Sequence, residues 1–141
     1  MTGILAIETS ADACSVALAP AGAGPEERFE LAPRQHNRII FDMLRELVPG
    51  GDLRAAGVEC LAFGAGPGSF TGLRIAASAV QGLAFSNKLP AVGVSTLAAL
   101  AQGALEQGVA SGGDTVLSLI DARVGEIYCG ISRFEAGVAV E

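Results

Sequence analysis

The chain has no tryptophan, one tyrosine and six phenylalanines, so aromatic residues make up only 5% of its 141 residues. Half of the residues are nonetheless apolar, and 19 are glycine. A core can form, but it must be built from small, closely packed side chains. One histidine is present, His36, at the start of an apolar-periodic segment, where a capping or surface position is expected. With one histidine and no nucleophile or acid in view beside it, neither a Ser/His/Asp nor a Cys/His arrangement can be proposed. The three cysteines, Cys14, Cys60 and Cys129, are far apart and form no CxxC pair. That leaves no readable zinc site or disulfide framework and fits a reducing, cytoplasmic compartment.

Cations are also scarce. Nine Lys and Arg against fifteen Asp and Glu give a net charge of −6. Non-specific nucleic-acid binding relies on neutralising phosphates with Lys and Arg, so direct RNA binding by this chain is disfavoured. No run approaches the roughly 20 apolar residues of a membrane span. The richest stretch, Ile75 to Phe85, is broken by Ser78, Gln81 and Gly82. The N-terminus lacks a basic region and reaches Glu8 at once, unlike a secretory signal.

What is present is a clear succession of periods. Ile4 to Glu8, Cys14 to Ala19 and Arg28 to Leu31 read as three short strands separated by turns, an antiparallel meander. Ile39, Ile40, Met43, Leu44 and Leu47 recur at helical spacing over His36 to Val48, and Pro49-Gly50-Gly51 stops the helix. Glu59 to Gly64 reads as a buried strand and Thr71 to Asn87 as a helix. Ala91 to Ser95 reads as a strand, and Thr96 to Gln107 as a helix capped by Ser95 or Thr96. The order β-β-β-α-β-α-β-α predicts an α/β ribonuclease-H-like lobe, a mixed five-stranded sheet with flanking helices. We expect this lobe to span 1–109, a linker 110–113, and a partial second lobe 114–141. In the partial lobe, Thr115 to Ile120 and Ile127 to Arg133 form a β-hairpin.

The most informative stretch runs from Gly64 to Arg74. It joins a buried strand to a helix N-terminus, where free N–H groups and the helix dipole suit an anion. It is not a Walker A loop, since Gly-Lys-Ser/Thr is missing, and GxGxxG fails at its last glycine. Two readings stand side by side. In one, Thr9, Ser10, Gly66, Gly68, Ser69, Thr71 and Arg74 hold a nucleotide or other anion. In the other, this is a tight strand-to-helix turn capped by Ser69 or Thr71. Arg74 opposes the dipole in the first helical turn, which a bound phosphate or Glu8 would compensate; the alternative is a solvent-exposed head. The carboxylates Glu8, Asp12, Asp121 and Glu126 either face a common cleft or cap turns and hairpin ends.

The helices suggest a docking surface. The second helix has one apolar side for the sheet and another made of Ile75, Ser78, Ala79, Gly82 and Phe85. The first has a broad apolar side that includes Ile39, Ile40, Met43 and Leu47. Two apolar sides on a surface helix call for two partners, so these nine residues are the expected partner interface; the alternative is that the second apolar side is covered inside the same lobe.

Three motifs in order, Ile7-Glu8-Thr9-Ser10, Gly66-Pro67-Gly68-Ser69-Phe70-Thr71-Gly72-Leu73-Arg74, and Asp121-Ala122-Arg123 with Gly125-Glu126-Ile127-Tyr128, resemble the TsaB (YeaZ) family. The resemblance covers Ile4 to about Arg133. It implies the actin/Hsp70/sugar-kinase (ASKHA) architecture of two ribonuclease-H-like lobes. It implies a role in bacterial synthesis of tRNA threonylcarbamoyladenosine as a non-catalytic subunit. The implied partners are a TsaD-like threonylcarbamoyltransferase and a TsaE-like ATPase, with a homodimer through the first lobe when the partner is absent. Contact with tRNA would be indirect. TsaD carries a Val-Asn-His-x-x-x-His metal motif; the matching positions here are Val94 to Leu100, with Thr96 and Leu100 where the histidines stand. Neither is an imidazole ligand, so no metal and no catalytic residue are expected. No cofactor is expected for the chain alone, with ATP or ADP left open for the complex. The competing readings are an actin-like ATPase or kinase binding nucleotide at Thr9 to Ser15 and the glycine loop, and a separate protein-binding module. Measured against the family, the second lobe would stop after one hairpin. Residues 114 to 141 would then be poorly supported by their own contacts.

Overall fold

The computed structural model describes residues 2–141. The chain divides into two compact units, one comprising 1–65 and 69–93, the other 66–68 and 94–141.

The first unit begins with the expected meander: β1 (Ile4–Glu8), β2 (Ala13–Ala19) and β3 (Glu26–Leu31). β1 pairs antiparallel with β2, Ile4 opposite Ala19, and β2 antiparallel with β3. Helix α1 (His36–Leu47) follows, then β4 (Cys60–Gly66), α2 (Phe70–Asn87) and β5 (Ala91–Ser95). β4 lies parallel to β1 on its free side, with Ile4 opposite Cys60. The resulting strand order, β3-β2-β1-β4-β5, is the mixed sheet of a ribonuclease-H-like lobe.

Alternation along the strands decides what each face carries. Leu5, Ile7, Cys14, Val16, Leu18 and Leu61 point to one face and are buried against α1 and α2. From α1 come Ile39, Ile40, Met43, Leu44 and Leu47; from α2, Ala76 and Val80. The opposite face carries Ala6, Ala17, Ala62 and Gly64. Gly50 and Gly51, both at positive φ, end the α1 segment as anticipated. Arg54 closes the far end of α2, its guanidinium donating to the carbonyls of Asn87 and Lys88 at 2.9 and 2.7 Å. These are the orphan acceptors that a helix C-terminus leaves.

The second unit contains α3 (Thr96–Glu106), β6 (Val116–Arg123), β7 (Glu126–Glu135) and β8 (Val138–Val140). Ser95 caps α3, its hydroxyl accepting from the Ala98 amide. The three strands form an antiparallel sheet in the order β6-β7-β8. This departs from the expected layout in two ways. The hairpin acquires a third strand through the tight turn Ala136-Gly137, both at positive φ. And α3, expected in the first lobe up to residue 109, packs on β6, β7 and β8. One face of the sheet meets that helix, where Gly130 on β7 sits against Leu97 and Ser118 and Ser132 are buried; the other face, with Leu117, Ile127 and Ile131, is exposed.

Candidate functional site

The N-terminus of α2 is held by a set of contacts inside the first unit. Ser69 caps the helix, its hydroxyl accepting from the Gly72 amide at 3.2 Å. The Ser69 amide donates to the Ser10 carbonyl at 2.7 Å. Thr9, fully buried, donates its hydroxyl to the Gly72 carbonyl at 2.6 Å. Gly72 is required for this approach, because a Cβ there would lie 1.8 Å from the Thr9 carbonyl oxygen. The turn after β1 and the first turn of α2 are thus locked backbone to backbone.

Thr9 and Ser10, two of the residues named for an anion, are buried; the Thr9 hydroxyl and the Ser10 amide and carbonyl are engaged within the fold, the last of these at the start of α2. Thr71 and Arg74 remain exposed on the first turn of α2. Gly66, at φ 100°, closes β4 in a conformation that favours glycine. Gly66 and Gly68 both fall in the second compact unit.

Arg74 and Glu8 do not pair. Arg74 lies over the Phe70 ring, 5.3 Å from its centroid, a cation–π contact within one helical turn. Glu8 accepts from the Ser10 amide and lies over Gly64, where a Cβ would come within 2.0 Å of its carboxylate. Asp121 likewise accepts from the Arg123 amide at 2.7 Å, at the β6–β7 turn. These two carboxylates serve turns. His36 also departs from expectation. It is buried, and its Nε2 donates to the Ala13 carbonyl of β2 at 3.1 Å.

The expected partner surface divides in two. Ile39, Ile40, Met43 and Leu47 are buried in the core of the first unit. The reason is that α1 contacts β2, β3 and α2 together, so a wide apolar stripe finds cover inside its own unit. On α2 the picture differs. Ile75 and Ala79 are half-buried, Ser78 and Gly82 are exposed, and Phe85 is 87% exposed. Between α1 and α2 runs an open groove of about 440 Å³, with Asn37 and Phe41 on one wall and Arg74, Ile75, Ser78 and Ala79 on the other. Phe41, 45% exposed, escaped the sequence reading although it stands next to Ile40 in an otherwise apolar run. Arg74 also borders a second cleft of about 300 Å³ beside β4, lined by Phe63, Phe70, Leu73 and Ala77 among others.

With this geometry in view, the chain can be compared with known proteins. A family model described as TsaD, tRNA N6-adenosine threonylcarbamoyltransferase, matches residues 20–138. The chain belongs to the TsaD/TsaB family. Within it, the similarity lies with TsaB (YeaZ). The tRNA threonylcarbamoyladenosine biosynthesis protein TsaB of Escherichia coli K12 is 46% identical over 125 residues, covering 89% of this chain and 52% of that protein. TsaB of Haemophilus influenzae is 45% identical over 125 residues, covering 89% and 51%. The solved structure of YeaZ from Pseudomonas aeruginosa superposes with a TM-score of 0.88 at 41% identity, over 99% of this chain and 64% of that one. The chain therefore spans about half the length of the curated TsaB relatives it matches.

At the positions of the TsaD metal motif, Thr96 opens α3 with its hydroxyl buried and Leu100 lies on the same helix, half exposed. Among the described residues no group of His, Cys, Asp and Glu has the arrangement of a metal site. No described helix is long and apolar enough to cross a membrane.

Proposed function

We propose that this chain acts in tRNA threonylcarbamoyladenosine biosynthesis as a non-catalytic subunit that docks on a TsaD-like threonylcarbamoyltransferase. The observation that carries the reading is the 46% identity to a TsaB protein of that process. The α1–α2 face supplies the docking surface. Phe41 and Phe85 are exposed aromatics, and Ser78 and Gly82 are small enough to let another backbone approach. Aromatic anchors beside small residues are what a close protein contact uses. The four α1 residues buried in the core support that face from beneath. Thr96 and Leu100, in place of imidazoles, support a subunit that leaves the transfer chemistry to its partner. Contact with tRNA then runs through the transferase, in keeping with the net charge of −6. The reading implies a cytoplasmic protein.

The test is reconstitution with the purified TsaD-type transferase of the same organism. The two are expected to co-elute, and Ala79→Glu with Gly82→Glu in a folded chain abolishes co-elution. Unchanged co-elution would put the surface elsewhere. ATP turnover by the chain alone, with magnesium, would replace this reading with that of an actin-like ATPase.

A further inference from the structure

Arg74 is a cation at the unfavourable end of its helix, and no carboxylate balances it. It stands in the first turn of α2, where the positive end of the dipole opposes it. Glu8 is turned to the Ser10 amide. The acids of α1 are taken elsewhere, Asp42 by Arg45 at 2.7 Å and Glu46 by Arg28 at 2.9 Å. Among the described residues the Arg74 guanidinium makes no ion pair, and the Phe70 ring beneath it is itself exposed. Of the side chains that line the α1–α2 groove, Arg74 alone carries a charge. Ile40 and Phe41 on one wall, and Ile75 and Ala79 on the other, make much of the remainder apolar.

An occupant that fills this groove takes the guanidinium out of water. A charge buried without a counter-charge is one of the heaviest penalties a contact can carry, so a fitting occupant must bring an anion to Arg74. We infer, on the footing of the docking role proposed above, that Arg74 receives an Asp or Glu carboxylate of the TsaD-like transferase, set among apolar side chains that fill the groove. A guanidinium suits that group because its planar fork donates two parallel N–H bonds to the two carboxylate oxygens. The contact with Phe70 restricts where the guanidinium stands, which lowers the cost of ordering it on binding. A protein carboxylate fits better than a nucleic-acid phosphate, because the groove is largely apolar and the net charge of −6 repels a phosphate backbone. The pair also makes docking selective, since a surface of the same shape with a neutral or basic side chain at that point leaves Arg74 unpaired or repels it.

The experiment is a binding titration of the whole chain with the purified TsaD-type transferase of the same organism. Arg74→Glu should weaken binding at least about thirtyfold, as loss of one partner of a buried charge pair does. The same variant should melt near the wild-type temperature, because an acid suits the first turn of a helix. In Arg74→Lys, a carbodiimide should couple the amine at 74 to an Asp or Glu of the transferase, which mass spectrometry identifies. Exchanging that acid for lysine should restore binding to Arg74→Glu. Wild-type affinity in Arg74→Glu, with binding lost in Ala79→Glu, Gly82→Glu, overturns the charge pair and leaves the docking role standing. Wild-type affinity in both, or no binding by the wild-type chain, overturns the docking role and the pair with it. Absence of coupling, or a swap that fails to restore binding, also overturns the pair. So does binding of tRNA or inorganic phosphate by the chain alone that Arg74→Glu abolishes, which would give the cation to a phosphate.

Discussion

Gly72 and Thr9 meet at a distance that allows no side chain on the helix: a Cβ at 72 would lie 1.8 Å from the Thr9 carbonyl oxygen, while the Thr9 hydroxyl donates to the Gly72 carbonyl. In an open helix, Gly→Ala stabilises by about 1 kcal/mol. Here the backbone itself is the obstacle, so Gly72→Ala should destabilise by about 2–3 kcal/mol, the upper part of the roughly 1–3 kcal/mol that forced overpacking costs. Urea unfolding should show a lower midpoint at an unchanged m-value. Thr9→Val should cost about 1–3 kcal/mol by leaving the Gly72 carbonyl without its buried donor.

Gly64→Ala provides the contrast. The obstacle is the end of the Glu8 side chain, which can swing away once it gives up the Ser10 amide. We expect a loss of about 1 kcal/mol, the worth of that one hydrogen bond, and smaller than for Gly72→Ala. Glu8→Ala should make the alanine at 64 nearly neutral, since the two changes share one contact. A four-member double-mutant cycle in urea checks this.

Phe41 and Ile40 are neighbours in sequence with opposite surroundings, one exposed and one fully buried. Ile40→Ala should cost about 2–4 kcal/mol of stability, as core truncations do. Phe41→Ala should cost less than about 1 kcal/mol of stability and instead weaken docking to the transferase. Thermal melts and a binding titration on both variants separate the two roles.

Cys14 gives the chain an alkaline limit. Burial, with the Glu30 charge adding to it, pushes the thiol from 9.0 up to about 11. The neutral thiol is therefore favoured in the folded state. Its contribution is complete below about pH 9 and falls away as pH rises toward 11, because only the unfolded chain ionises freely in that window. The loss should approach about 2–3 kcal/mol, and Cys14→Ala should flatten it. Urea midpoints from pH 8 to 11 measure both. At neutral pH, Cys129 should react with a maleimide far faster than Cys14, which mass spectrometry of the labelled native chain reads directly.

Much of the first unit was legible because its signals are local. The spacing of Ile39, Ile40, Met43, Leu44 and Leu47 marked α1, and Pro49-Gly50-Gly51 marked its end. The three strands before it announced themselves through turns. Contacts across long stretches of sequence were not legible. The partner of Thr9 lies 63 residues away, so its hydroxyl's bond to the first turn of α2 could not be read from the sequence. The cover over the broad apolar side of α1 was not legible either, because periodicity counts apolar sides without saying how many neighbours belong to the same fold. His36 was misplaced for the same reason: its acceptor is a backbone carbonyl of β2. β8, at three residues, is too short to display alternation.

The pairing of β1 with β4 also bears on how quickly the first unit assembles. β1, β2 and β3 are joined by short turns and can zip together with little chain to immobilise. β4 reaches β1 only after the chain between Ile4 and Cys60 has been drawn into a closed loop. Closing a loop of that length is entropically costly before any contact rewards it. α1 lies inside that loop and packs on β2 and β3, the part of the sheet already formed. The central strand thus gains its first neighbour at little entropic cost and its second only after that long closure.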